Sequence, residues 1–357
     1  MKTIKTIKTI KTIKTIKTIE LNSIIEMFRL AIVGMGPAGI FTLASLPEDV
    51  LSETLVLERS CIGGDLLSQY STVVSNICKG WYIKTLKAIP KWMDQSFQEL
   101  DGYKDNELPK LGDVCKMLRR LIMPDIHRAN FHKTSLSNIV QTDDGWNLVT
   151  PKGAYQAKKV ILCLGATPKT IDLPLTSIPL SIALSQEQIA RSISPSDTVV
   201  VFGISQSGLL VLKNLKNIGC TSVYAIYKGD RSYTTATNEG IGDGLATPGA
   251  LVSQEINRSW WGPLAPKLIS YDDFDRINIV LNKADVVIYA IGFEPRTFTY
   301  THKTGTCHPI TNDTPGIYGF GIGRPRIGRT PIGEIFEDIG FEGFVKAIQA
   351  ELPGILS

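Results

Sequence analysis

The chain has 357 residues with 43% apolar and 20% charged residues, the composition of a soluble globular protein large enough for two ordinary domains. Its formal charge of +4 arises entirely in residues 1–26, where six lysines stand against two glutamates; the remainder balances at 32 basic and 32 acidic residues. This balance offers no electrostatic footprint for a nucleic acid or a membrane surface, and no apolar run reaches the length of a bilayer span.

Residues 2–19 repeat Lys-Thr-Ile six times. A period of three matches neither helix nor strand, and the segment lacks the apolar stretch of a signal peptide, so residues 1–26 read as a low-complexity, disordered tail with Met27 as the functional start. Leu30–Val33, approached from Phe28, is a continuous apolar run of the kind found in a strand buried on both faces. Gly34-Met35-Gly36-Pro37-Ala38-Gly39 follows, and then an apolar helical stretch. In such a strand–turn–helix the first glycine allows the turn, the second lets a pyrophosphate approach the backbone, and the third lets helix and strand pack closely. The helix N-terminus adds free N–H groups and a partial positive charge. A second apolar strand, residues 54–58, ends in Glu58, 19 positions after Gly39, where a carboxylate can accept from an adenosine ribose. Arg59 and the pair Gly63-Gly64 come next, a backbone suited to close approach by a ligand, followed by Asp65, Leu66, Tyr70 and Asn76.

Residues 80–105, with Trp81, Trp92 and Phe97, read as loop or short helices lining a pocket. Leu108–Ile122 has helical spacing. Strand-like segments from Phe131 to Val149 are divided by the turn Asp143-Asp144-Gly145; a further strand is expected at Ala154–Ala157 and a buried one at Lys159–Leu164, running into Gly165-Ala166-Thr167-Pro168. A second motif begins with the strand Thr198–Phe202 and the turn Gly203-Ile204-Ser205-Gln206-Ser207-Gly208 before a helix. After the strand Ser222–Tyr227, Lys228 and Arg231 are cations where a 2′-phosphate would lie, which favours NADPH over NADH. Ala284–Ile291 is a buried strand leading to Gly292-Phe293-Glu294-Pro295, an echo of Gly165–Pro168. Gly316–Gly321 reads as a last strand and Glu334–Ile348 as a closing helix. The six cysteines contain no C-x-x-C and no zinc-ligand spacing, so reduced thiols in the cytoplasm are expected, and the four histidines are scattered.

From residue 28 to 350 these landmarks together resemble the two-dinucleotide-binding-domain flavoproteins, the superfamily of thioredoxin reductases, disulfide reductases and flavin monooxygenases. The resemblance implies an α/β fold of two Rossmann-like domains, each a parallel sheet with helices and a small antiparallel meander, the second inserted in the first. Residues 27–172 and 293–357 would form the FAD domain and 173–292 the NAD(P) domain. FAD would lie on Gly34, Gly36, Pro37, Ala38, Gly39, Glu58 and Arg59, with Gly63, Gly64, Asp65, Leu66, Asn76, Gly165, Gly321 and Ile322 around it. NADPH or NADH would lie on Gly203, Ser205, Gln206, Ser207, Gly208, Lys228, Arg231 and Gly292.

Two positions depart from the family pattern. The paired redox cysteines are missing, which argues against a dithiol relay, and Ile322 stands where an aspartate usually holds the ribityl chain. The implied activity is FAD-dependent transfer of hydride from NAD(P)H to a small acceptor or oxygen. A flavin monooxygenase, with Asn76 as its candidate catalytic residue, and a non-catalytic redox sensor stay open. The partner expected is a small-molecule substrate or electron acceptor, and the oligomeric state, with a homodimer as its candidate, stays open.

Overall fold

The computed structural model describes residues 27–228, 235–237, 240–242, 261–329 and 335–357; the Lys-Thr-Ile tail, Arg231 and most of 239–260 lie outside them. In chain order the principal elements begin with β1 (Met27–Val33), α1 (Pro37–Ala44), β2 (Thr54–Glu58), α2 (Gly64–Ser68), α3 (Lys79–Lys87) and α4 (Leu111–Arg128). Then come β3 (Asn130–Lys133), β4 (Asn138–Gln141), β5 (Trp146–Thr150), β6 (Gly153–Leu162), β7 (Ala166–Pro168), β8 (Thr176–Ile178) and β9 (Thr198–Phe202). The second motif's helix is α5 (Gln206–Asn217), followed by β10 (Ser222–Tyr227), β11 (Thr235–Thr237), β12 (Gly240–Gly242), β13 (Lys267–Ser270), α6 (Phe274–Leu281) and β14 (Val286–Tyr289). The chain closes with β15 (Phe293–Pro295), β16 (Thr299–Thr301), β17 (Cys307–Pro309), β18 (Ile317–Gly319), β19 (Arg326–Arg329), β20 (Ile335–Asp338) and α7 (Phe341–Leu356).

The first sheet runs β17-β16-β4-β5-β6-β1-β2-β3, with β18 beside β6. β1 lies between β2 and β6, parallel to both, which is why Leu30 to Val33 are apolar without alternation. β6 is one strand of ten residues rather than the expected two, because Ala157-Lys158-Lys159 contains no turn residue to break it. Its first half pairs antiparallel with β5, and its second half runs parallel between β1 and β18. The antiparallel part is larger than the sequence suggests, since the hairpin β16–β17 joins it through β4.

Alternation along β6 separates two cores. Ile161 and Cys163 face α1, α4 and α7, whereas Val160 and Leu162 face the meander. α1 has every residue from Ala38 to Ala44 buried, as expected of a helix that is apolar all round. Trp92 and Phe97, expected in a pocket wall, are buried in this core instead; Trp92 packs edge-on to Phe41 at 6.2 Å. α4 extends past the expected end to Arg128 and through Pro124. The closing helix starts at Phe341, later than expected, because 335–338 pairs with β19 as strand β20 and Gly340 caps the helix.

The second sheet is β13-β10-β9-β14-β8, parallel throughout. α5 covers one face, against Val199 and Val201, and α6 the other, against Val200 and Phe202. The meander expected there is absent from the described residues; the antiparallel element is a separate hairpin, β11–β12. The two chain crossings are hydrogen-bonded to one another: β7 and β15 form an antiparallel ribbon, with Phe293 opposite Pro168 and Pro295 opposite Ala166.

Candidate functional site

Both glycine turns have the same internal construction. Gly34 has φ +97°, and a Cβ there would overlap the Cys163 carbonyl oxygen at the end of β6. A Cβ on Gly39 would overlap the Gly34 carbonyl oxygen. In the second turn Gly203 has φ +94° and is closed by the Ala290 carbonyl, and Gly208 lies against the Gly203 carbonyl. In both cases the first and last glycines lock helix to sheet. The middle positions differ from these. Gly36, at the N-cap of α1, has φ −69° and ψ −175°, and its absent Cβ would face open space. Ser205 takes the equivalent N-cap of α5 at φ −79° and ψ −168°, an extended backbone any residue adopts, which explains how serine replaces glycine there.

This open space is bounded by donors. The N–H groups of Gly36, Ala38 and Gly39 have no hydrogen-bond partner among the described residues, nor do those of Ser207 and Gly208. Pro37 fills the position of α1 that needs no N–H. Gly64 lies against Gly36, its would-be Cβ 2.9 Å from the Gly36 Cα, and Gly321 (φ +91°) lies against Ala38, 2.7 Å by the same measure. Gly63 (φ +112°) donates to the Met35 carbonyl at 2.8 Å. Thus Gly36, Gly63, Gly64, Ala38 and Gly321, dispersed over nearly 300 residues, meet around one cradle. Its free N–H donors at a helix N-terminus and the open space at Gly36 suit an anionic group such as a pyrophosphate.

Glu58 is buried and already engaged: Oε2 accepts from the Met35 N–H at 2.6 Å, and Oε1 accepts from Ser60 N–H at 2.6 Å and Ser60 Oγ at 2.9 Å. The carboxylate therefore braces the turn, and one lone pair on Oε2 stays available for a ribose hydroxyl. Asp65 accepts from Arg59 at 3.3 Å, Gln69 at 3.1 Å and Arg296 at 2.5 Å. Arg296, which the sequence reading missed, also donates to the Leu164 carbonyl, and its own N–H reaches the Gly165 carbonyl at 3.2 Å. It thus ties the Gly63–Asp65 loop to both crossings. Tyr70 stacks edge-on to Phe293 at 6.5 Å, and burial raises its phenol pKa, with Asp65 adding to the effect.

Asn76 stands apart: it is exposed, in a bend before α3, and makes no side-chain hydrogen bond among the described residues. Leu66 packs against the α1 core, and so does the Ile322 side chain, a fit that an aspartate there would lose. Gly292 (φ +89°) accepts from the Lys169 N–H, and Lys228 is exposed, 5.8 Å from the Tyr271 ring centre. Cys61 and Cys115 approach the Gly64 and Gly63 carbonyls at 3.8 and 4.0 Å as weak donors. Burial pushes the Cys115 and Cys163 thiols up to about 12. Among the described residues no three of His, Cys, Asp and Glu are grouped to hold a metal, and no helix is long and apolar enough to cross a membrane.

No protein-family model matches the chain, and no curated protein matches it. Solved structures do. The chain is similar to a flavin-containing monooxygenase from Stenotrophomonas maltophilia (TM-score 0.59, 13% identity, 92% of this chain and 98% of that one). It is similar to the bacillithiol disulfide reductase Bdr from Staphylococcus aureus (TM-score 0.57, 15% identity, 92% and 99%). A thioredoxin reductase from Lactococcus lactis matches at TM-score 0.52 and 14% identity, over 92% and 99% of the two chains. These matches, at 13–15% identity over nearly the whole of each chain, show that this chain shares their fold.

Proposed function

We propose that this chain is an FAD-dependent oxidoreductase that takes hydride from NADPH or NADH and passes electrons to a small acceptor or to oxygen without a dithiol relay. The observation that carries the reading is the doubled glycine interlock, which leaves one donor-lined space at α1 and a second at α5. Bound FAD would supply hydride acceptance and two-electron chemistry. Ala38 and Gly39 N–H groups hold its pyrophosphate at the positive end of α1, and Glu58 Oε2 takes a ribose hydroxyl. Gly63, Gly64, Asp65 and Leu66 border the ring, and Arg296 fixes that loop through Asp65. Ile322 offers no side-chain acceptor, so the backbone of residues 321–322 holds the ribityl region. Ser207 and Gly208 N–H groups, with the Ser205 hydroxyl, hold the nicotinamide dinucleotide, and Lys228 selects a 2′-phosphate. The domains follow the crossings, 27–172 with 293–357 and 173–292. Buried thiols with raised pKa values support electron transfer without Cys115 or Cys163.

The test is the absorbance of the purified protein with FAD, followed by anaerobic titration with NADPH and NADH. Bleaching of the flavin by either, with the lower titration midpoint for NADPH, is expected. Protein that stays colourless with FAD in excess would refute the proposal. Formation of a hydroxylated product in air, in place of hydrogen peroxide, would move the assignment to a monooxygenase.

A further inference from the structure

On the meander side of the first sheet, beyond the C-terminal ends of β6 and β18, lies a cavity of about 350 Å³. That is within the size range of small-molecule sites, roughly 300–1,000 Å³. Its apolar part is Leu162, Leu164, Phe298 and Ile310, and its cations are Arg296 and Arg324. Leu162 and Leu164 point to the face of β6 opposite Cys163, so the cavity is separate from the cradle at α1.

The two arginines differ in their compensation. Arg296 is neutralised by Asp65, and neighbouring Arg326 by a bidentate pair with Glu351. Arg324 has no carboxylate partner among the described residues. Its Nη1 donates to the Thr311 carbonyl at 3.2 Å and to Asn312 Oδ1 at 3.0 Å, and its Nη2 donates to the Ile310 carbonyl at 3.2 Å. Three neutral acceptors hold the guanidinium in one orientation. Its Nε–H and one Nη2–H have no partner among the described residues, although a guanidinium presents five donors. A half-buried cation held rigidly without a counter-charge is electrostatically costly. In keeping with this, burial and the nearby Arg326 both lower its pKa.

We infer that this cavity binds a small organic carboxylate, with the carboxylate on Arg324 and an apolar body against Leu162, Leu164 and Phe298. The planar guanidinium suits a carboxylate in a bidentate pair, and the apolar floor requires a hydrophobic group beyond it. Neither the Gly34–Gly39 turn nor the Gly203–Gly208 turn contributes a wall, and Arg296, which holds the Asp65 loop, is the residue the cavity shares with the proposed flavin site.

The probe is benzoate, titrated calorimetrically into the full-length protein, with benzamide as the neutral analogue and inorganic phosphate as the bare anion. Saturable benzoate binding is expected, at least tenfold tighter than benzamide and phosphate. Arg324→Gln removes the charge, and Leu164→Phe fills the cavity without touching the guanidinium; each should weaken benzoate at least tenfold. Should Arg324→Gln fail to fold, Leu164→Phe decides. Absence of saturable benzoate binding to the wild type, equal affinity for benzamide or phosphate, or undiminished binding in Leu164→Phe would each overturn the inference.

Discussion

Replacing Gly36 by valine separates the cradle from the fold. The residue sits at an extended backbone angle open to any side chain, and its Cβ would meet no atom within 4 Å. The cost to folding is that of a poor N-cap, about 1 kcal/mol, or roughly 2–4 °C in melting temperature. The new methyl groups would stand where the phosphate oxygens approach Ala38 and Gly39. Losing two charge-assisted hydrogen bonds, at roughly 1.5–3 kcal/mol each, weakens FAD by about two to four powers of ten. Gly39→Ala is the counterpart. Its Cβ would strike the Gly34 carbonyl, and Gly34 itself has no room to shift against the Cys163 carbonyl, so the expected loss is about 3 kcal/mol of stability or more. The assay is thermal unfolding by circular dichroism beside flavin absorbance after gel filtration. Gly36→Val should be folded and colourless, and Gly39→Ala should be unstable. Gly36→Val retaining FAD at wild-type strength, or Gly39→Ala melting with the wild type, would refute the reasoning.

Asp65→Asn and Arg296→Met should each lower unfolding free energy by roughly 1.5–3 kcal/mol, and the double variant should lose less than the sum; additivity would show that the pair does not act as a unit. Alkylation of the native protein near neutral pH, read by mass spectrometry, should label exposed Cys307 and leave Cys115 and Cys163 unmodified until denaturant is added. Labelling of Cys163 at the rate of Cys307 would contradict the burial described. His132 stacks on Tyr155, and burial, with Lys152, lowers its pKa from 6.5. The unfolded chain therefore takes up the proton first, so stability should fall as pH drops below about 6.5 and level off once the folded histidine also titrates. His132→Gln should flatten that part of the urea-unfolding profile relative to wild type, and an unchanged slope would count against it.

Strands with continuous apolar runs and glycine turns were legible because the signal lies within a few residues. Thr198–Phe202 and Ser222–Tyr227 end where expected, and both glycine turns stand at the heads of their helices. The paired crossings were visible as an echo in sequence, though not as hydrogen-bond partners. What escaped depends on contacts across the chain. Trp92 and Phe97 read as pocket residues because amphipathic loops and core-packing segments share a composition; the core that decides between them is assembled from α1, α4 and α7, far apart in the chain. Arg296 follows the short strand β15 and Arg324 follows a turn, edges where a charge usually faces solvent, and their partners at Asp65 and Ile310–Asn312 are fixed by the fold rather than by spacing. The position of Glu58 at the end of a strand was readable, whereas its engagement with Met35 and Ser60 was not.

The carbonyl that wedges Gly34 belongs to Cys163, and the glycine that closes on Ala38 is Gly321. A ribosome that has produced Gly34 to Gly39 has therefore made the letters of the motif and none of its shape. The turn gains its back wall about 130 residues later and its side wall after nearly 300. A nascent chain exposing only the first strands lacks both walls, and on the proposed function nucleotide capture must wait until Gly321 has emerged.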